Sequence, residues 1–254
     1  MRTIPASDWI IIFFRVIVGY LIAGGLYRQS IAISKISNVT FLQSIPFAGL
    51  FGWLFFKEKF SFKKLILLFI SYIGVILIAV KDYPLIFSFG KGEVFSFISA
   101  ALFSLSFVSR KWQGKSLNDK EIVQILLFIG TIILFLVSML RGEGFLAKQL
   151  GILFVFSILL NGFLNAINLF LINYGFARVK AVLASNILAL EGVFALVLAF
   201  IFYHELPALR ELLGGIVILA SVIMMNKVEE NENLEPPLGV GPRTSPLRRE
   251  CSTN

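Results

Sequence analysis

Long apolar runs alternate along this chain with short polar connections. The runs lie near residues 9–27, 37–56, 64–80, 94–109, 121–140, 151–174, 181–203 and 210–226. Each is close to the ~20 mainly apolar residues that carry a helix across the hydrocarbon core of a bilayer. A helix also satisfies every peptide group within its own segment, which lipid demands because it offers no hydrogen bonds. The pattern therefore predicts an all-α polytopic membrane protein with about eight transmembrane helices, an even number that puts both termini on one side. It divides the chain into an N-terminal cytoplasmic segment 1–8, a three-helix unit 9–81, a five-helix unit 91–227 and a tail 228–254. The tail trades the apolar period for Glu, Asn, Pro and Arg, and is expected to be disordered.

Composition agrees with lipid as the solvent. Apolar residues make up 57% of the chain and charged ones 15%, where a soluble domain carries roughly a quarter of its residues as charges. Mean hydropathy is +0.87. The net charge of +8 does not indicate nucleic acid, because the basic residues are spread over the inter-helix connections. One side collects Arg2, Lys57, Lys59, Lys63, Lys64, Arg110, Lys111, Lys115, Lys120, Arg178, Lys180 and Lys227. The other has Arg28, Lys35, Lys81, Lys91, Arg141, Lys148 and Arg210. Basic connections are retained in the cytoplasm, so both termini are expected there and the chain in the plasma (inner) membrane. The single cysteine, Cys251, excludes a disulfide within the chain and a cysteine metal site.

Sliding the sequence over itself by 147 residues lays the first three helices on the last three without a gap. Tyr27/Tyr174, Phe47/Phe194, Ala48/Ala195, Phe55/Phe202, Glu58/Glu205, Leu65/Leu212 and Ile76/Ile223 are then identical pairs. Matched helices are five apart in order, so the copies cross the membrane in opposite senses. Inverted repeats of this kind build a site near the midplane, opened alternately to each side. The fourth and fifth helices have no counterparts ahead of the first.

The stretches SNVTFLQSIPFAGLFGWLFFKEKFSFKK and YIGVILIAV in the first copy, and ASNILALEGVFALVLAFIFYHELPALRELLGGIVILASVIM in the second, resemble the EamA-like branch of the drug/metabolite transporter superfamily. Both show small residues, an apolar helix ending in Glu, and a Gly-containing last helix. The resemblance implies two inverted five-helix units, of which this chain presents the third through tenth helices. Met1 then falls where the family connects its second helix to its third. Gly192 stands where the family often has Pro, while the first copy keeps Pro46.

Charged groups at mid-bilayer cost about 2.5–3.5 kcal/mol on insertion scales and mark functional candidates. Glu191, near the middle of the seventh run, is the leading one. It is either a proton-coupling or cation-binding group, or a neutral carboxyl making one interhelical hydrogen bond. Arg15 is expected to snorkel to the cytoplasmic face. Ser157, Asn161, Asn165 and Asn168 recur at spacings of four, four and three and share one helical arc. They either line a substrate path with amides that donate and accept, or fasten helices. Asn173 points away from that arc, toward the interface. Ser96, Ala100 and Ser104, and Ala48 with Gly52, read as close helix packing.

The pattern supports three function classes. A secondary carrier of small metabolites or amphipathic solutes accounts together for the repeat, the loop charges and the buried polar set. A membrane-embedded enzyme lacks its clustered His, Asp or Cys; His204 stands beside Glu205 without partners for a metal, and no cofactor motif is present. A remnant or subunit follows from the unmatched helices, and implies a homo-oligomer or a partner that completes the fold. The bilayer and a small-molecule substrate are the other expected partners.

Overall fold

The computed structural model describes residues 4–58, 61–79, 90–142, 151–204 and 206–234. Glu205 and residues 235–254, Cys251 included, lie outside them. Eight helical spans long and apolar enough to cross a membrane follow one another through the described residues. The first joins α1 (Ala6–Arg15), a π-helical segment (Val16–Ala23) and α2 (Gly24–Ile33). The second is α3 (Ile36–Gln43) with α4 (Phe47–Phe56), and the third α5 (Phe62–Ala79). Next come α6 (Lys91–Val108), closed by a 3₁₀ turn (Ser109–Trp112), α7 (Asp119–Leu140) and α8 (Ile152–Arg178). The seventh span is α9 (Ala181–Leu188) with α10 (Leu190–Tyr203), and the last is α11 (Leu209–Leu234).

The 147-residue repeat is visible in the backbone. α4 ends at Phe56 and α10 at Tyr203, while α5 starts at Phe62 and α11 at Leu209; each pair is 147 apart. Lys57 and His204, another such pair, are the non-glycine residues with positive φ among the described residues, at 48° and 53°. A left-handed residue after the last helical turn is a common helix stop, and here it ends the corresponding helix in both copies of the repeat. α5 and α11 then cross with two-fold symmetry. A methyl on Gly214 would meet the Gly74 carbonyl oxygen at 2.6 Å, and one on Gly74 the Gly214 carbonyl at 2.8 Å. Ser221 and Leu67, the repeat partners of Gly74 and Gly214, are also joined, by a 2.6 Å hydrogen bond from the serine hydroxyl to the Leu67 carbonyl.

Small residues set the other close approaches, as lipid-phase packing without a hydrophobic drive requires. α4 lies on α9 where a methyl on Gly52 would come 2.5 Å from the Ala181 Cβ. The π segment lies on α6 at Gly19, where a methyl would come 2.6 Å from the Ser106 hydroxyl. A π segment disturbs the regular carbonyl ladder. Two serines of α6, two turns apart, donate to carbonyls at its borders: Ser106 to Arg15 at 3.3 Å and Ser99 to Ala23 at 2.9 Å. Most of α8 stands clear of the other described helices, with exposed Ile152, Leu153, Leu159 and Phe163; its second half seats Asn173 and Phe176.

Two boundaries differ from the sequence expectation. α1 begins at Ala6, inside the expected N-terminal segment 1–8, and buried Asp8 accepts from the Gly114 N–H at 2.8 Å and from the Ser116 hydroxyl. Nor does order end at Lys227, since α11 runs on to Leu234. The cause is an ion cluster on that extra length. Lys64 of α5, 1% exposed, reaches Glu229 at 2.7 Å and also Glu232, and Lys180 ahead of α9 reaches Glu229. Spaced by three, the two glutamates share one helical face.

Candidate functional site

Helix breaks in the second and seventh spans are the first feature. Pro46 disfavours helical geometry at Ile45, and the chain leaves the helix over Ser44–Pro46. The seventh span is interrupted at Ala189, where the ladder tightens: the Ala189 N–H donates to the Asn186 carbonyl at 3.2 Å and the Gly192 N–H to the Ala189 carbonyl at 3.3 Å. Glu191 lies in the first turn of α10, and its repeat partner is Ser44, in the other break. Thus each copy places a polar side chain at its discontinuity. Glu191 is exposed on the protein surface and carries no hydrogen bond or ion pair among the described residues.

The four stripe residues occupy the unpacked part of α8 and are exposed. The Asn165 amide donates to the Asn161 side-chain oxygen at 2.7 Å, and the Ser157 hydroxyl to the Leu153 carbonyl at 2.8 Å. These contacts stay within α8, so among the described residues the stripe fastens no neighbouring helix and is not joined to Glu191.

Arg15 and Asn173 behave differently from expectation. Arg15 does not snorkel: it is 2% exposed, and its guanidinium donates to the Ser106 carbonyl at 3.1 Å, the Gln113 side-chain oxygen at 3.4 Å and the Asn173 side-chain oxygen at 2.6 Å. Asn173, fully buried, joins α8 to α1 through Arg15 and donates its amide to the Leu169 carbonyl of its own helix at 2.7 Å. Its distance from the stripe arc was the available signal, since an amide on a different face of a crowded helix needs its own partner.

The end of the bundle that carries both termini is tied by charge. Glu58 accepts from Lys111 at 2.6 Å, and from the Ala181 and Val182 N–H groups at 3.0 and 3.3 Å, so a first-copy carboxylate caps the α9 N-terminus of the second copy. Asp119 accepts from Arg110 and Arg178, both at 2.7 Å. At the opposite end Glu93 pairs with Ser34 and, at 3.1 Å, with Asn38. In the sequence Glu58 is legible as a repeat position at the end of an apolar helix, but its partners are not. No three His, Cys, Asp or Glu residues gather into a metal-binding group among the described residues. An apolar groove of about 270 Å³ runs between α10 and α11, lined by Val193, Phe200, Leu212 and Ile216. Glu211 at its edge accepts from the Ala208 N–H and so caps α11.

The sequence profile of the EamA-like transporter family matches residues 1–80 and again 90–227, one match per copy of the repeat. An uncharacterized transporter of Synechocystis sp., sll1164, is 20% identical over 88% of this chain and 67% of its own length. A protein crystal structure superposes with a TM-score of 0.73 at 11% identity, covering 89% of this chain and 78% of the other; at that identity the likeness shows the fold. Matched through both of its inverted copies, the chain belongs to the EamA-like transporter family.

Proposed function

We propose that this membrane transporter of the drug/metabolite kind is a secondary carrier, not an enzyme, and that it moves small metabolites or amphipathic solutes outward by alternating access with proton coupling. The observation that carries the reading is the inverted repeat with a helix break in each copy, because discontinuous helices related in this way surround midplane sites in carriers. In this reading Ser157, Asn161, Asn165 and Asn168 line the path and Glu191 exchanges the proton. Both termini are cytoplasmic, at the end where Lys and Arg predominate. Reconstituting the chain in liposomes and following uptake of amino acids and small amphiphiles, with and without a pH gradient, tests it. Saturable flux that Glu191→Gln abolishes supports the proposal. Saturable flux indifferent to the gradient and to Glu191 removes the coupling role, and absence of flux from folded protein removes carriage by this chain alone.

The exposure of α8 favours a second reading. Its repeat counterpart, the first span, packs on α6 and α7, whereas the first half of α8 has no such cover among the described residues. This supports a subunit whose α8 is covered by a partner or a second copy in the membrane. A cysteine at Gly162, with Cys251→Ser, would then cross-link to another polypeptide in native membranes.

A further inference from the structure

Arg15 is a buried cation without an anion. Three of its five N–H groups go to neutral oxygens, those of Ser106, Gln113 and Asn173, which leaves one N–H on each of Nη1 and Nη2 by the donor count of a guanidinium. No carboxylate lies within ion-pair distance of it among the described residues. Those nearest along the chain and in the fold are committed elsewhere. Asp8, two turns before it, takes the Gly114 N–H and the Ser116 hydroxyl, Asp119 takes Arg110 and Arg178, and Glu58 takes Lys111 and the α9 N-terminus.

The atoms left without partners around it are donors. Gln113, 7% exposed, spends its oxygen on Arg15, and its buried amide nitrogen has no hydrogen-bond partner. Arg110, 8% exposed, keeps an unpartnered Nε although its Nη2 holds Asp119. The buried hydroxyl of Tyr20, five residues beyond Arg15 on the π segment, is also unpartnered. A buried donor left unmade costs about 1–3 kcal/mol, and an uncompensated buried charge costs more. Water would satisfy the neutral donors but would leave the charge uncompensated. A carboxylate supplies two oxygens to the two Arg15 N–H groups, in the paired geometry that guanidinium favours, with lone pairs over for Gln113 and Tyr20.

We propose that Arg15, together with the unpartnered donors of Gln113, Tyr20 and Arg110, binds the carboxylate of a small solute. The site lies toward the end of the bundle that carries both termini, separate from the stripe on α8. The test is thermal unfolding of the purified full chain in detergent, titrated separately with sodium acetate, sodium chloride and sodium phosphate in one zwitterionic buffer. Acetate is expected to raise the unfolding temperature by a few degrees with saturation, as any ligand of the native state does, and chloride and phosphate to do so less. Gln113→Glu places a carboxylate against Arg15 from within. It is expected to raise the unfolding temperature in the absence of acetate and to cancel the acetate response. Arg15→Gln is expected to lose the response; where that variant does not fold, Gln113→Glu decides. Equal responses to all three salts, or a full acetate response in Gln113→Glu, overturn the proposal. A stronger response to chloride or to phosphate overturns the assignment to a carboxylate, phosphate also standing for a lipid headgroup. No flux is measured, so failure of this site is distinguishable from failure of carriage.

Discussion

Replacing Glu58 by Ala removes one carboxylate from three partners at once, and its cost follows from the geometry. Lys111, at 2.6 Å and with 17% of its side chain exposed, loses its counter-charge. The Ala181 and Val182 N–H groups, at 3.0 and 3.3 Å, lose their acceptor at a helix N-terminus. Breaking a buried pair costs about 3–5 kcal/mol, and each abandoned N–H adds about 1–3 kcal/mol where water cannot reach it. Lys111 is partly exposed and the cap lies near the membrane edge, so the lower end applies and the expected loss is about 3–5 kcal/mol in all. Glu58→Gln keeps an oxygen for the Ala181 N–H but loses the charge and the acceptor of the Val182 N–H, for about 1–3 kcal/mol. The assay is reversible unfolding by SDS titration of the wild type, Glu58→Ala, Glu58→Gln, Lys111→Met and the Glu58→Ala/Lys111→Met double variant. The cycle separates the ion pair from the cap: the double variant should be little worse than Glu58→Ala, because Lys111 has already lost its partner. A Glu58→Ala chain within about 0.5 kcal/mol of wild type, the range of an ordinary surface change, would refute the argument that this residue joins the two copies.

Three further outcomes are expected. Gly214→Leu should prevent assembly of α5 on α11, since its Cβ would sit 2.6 Å from backbone oxygen, while Gly215→Leu, with open space around it, should give a monodisperse peak on size exclusion. Lys64→Met should leave Glu229 and Glu232 with Lys180 as their remaining ion-pair partner among the described residues, lowering stability by about 1–3 kcal/mol and speeding amide exchange over residues 229–234, whereas exposed Lys63→Met changes neither. Asn161→Leu/Asn165→Leu should alter stability by less than about 1 kcal/mol, because the single amide pair it removes is internal to α8 and such bonds average about 0.6 kcal/mol; in the liposome assay the same variant should lose flux if the stripe lines the path.

Spans and inverted register were legible in the chain because lipid imposes both length and internal hydrogen bonding on each segment, leaving few ways to read a run of 20 apolar residues. The left-handed pair Lys57 and His204 could not be read as such, since neither residue type announces positive φ. The helix stops they create nevertheless fall at the Glu positions that the repeat had marked. The stripe's shared face on α8 is legible in the sequence, because helical periodicity is a local property. That it fastens no neighbour among the described residues is a matter of tertiary packing, which periodicity does not encode.

The sequence by itself determined the solvent, the number of spans, the repeat and the uneven charge of the connections, all of which depend on neighbours within a few turns or on comparison of the chain with itself. Only the tertiary structure decided how the charges are spent. Arg15 meets Asn173 across 158 residues and Lys64 meets Glu229 across 165, through crossings set by glycines and serines that backbone contact alone selects. An arginine six residues into an apolar run has a flexible stem that can reach the membrane surface. It stays buried here because three acceptors from α6, its following turn and α8 converge on it, and that convergence exists only after the helices have packed.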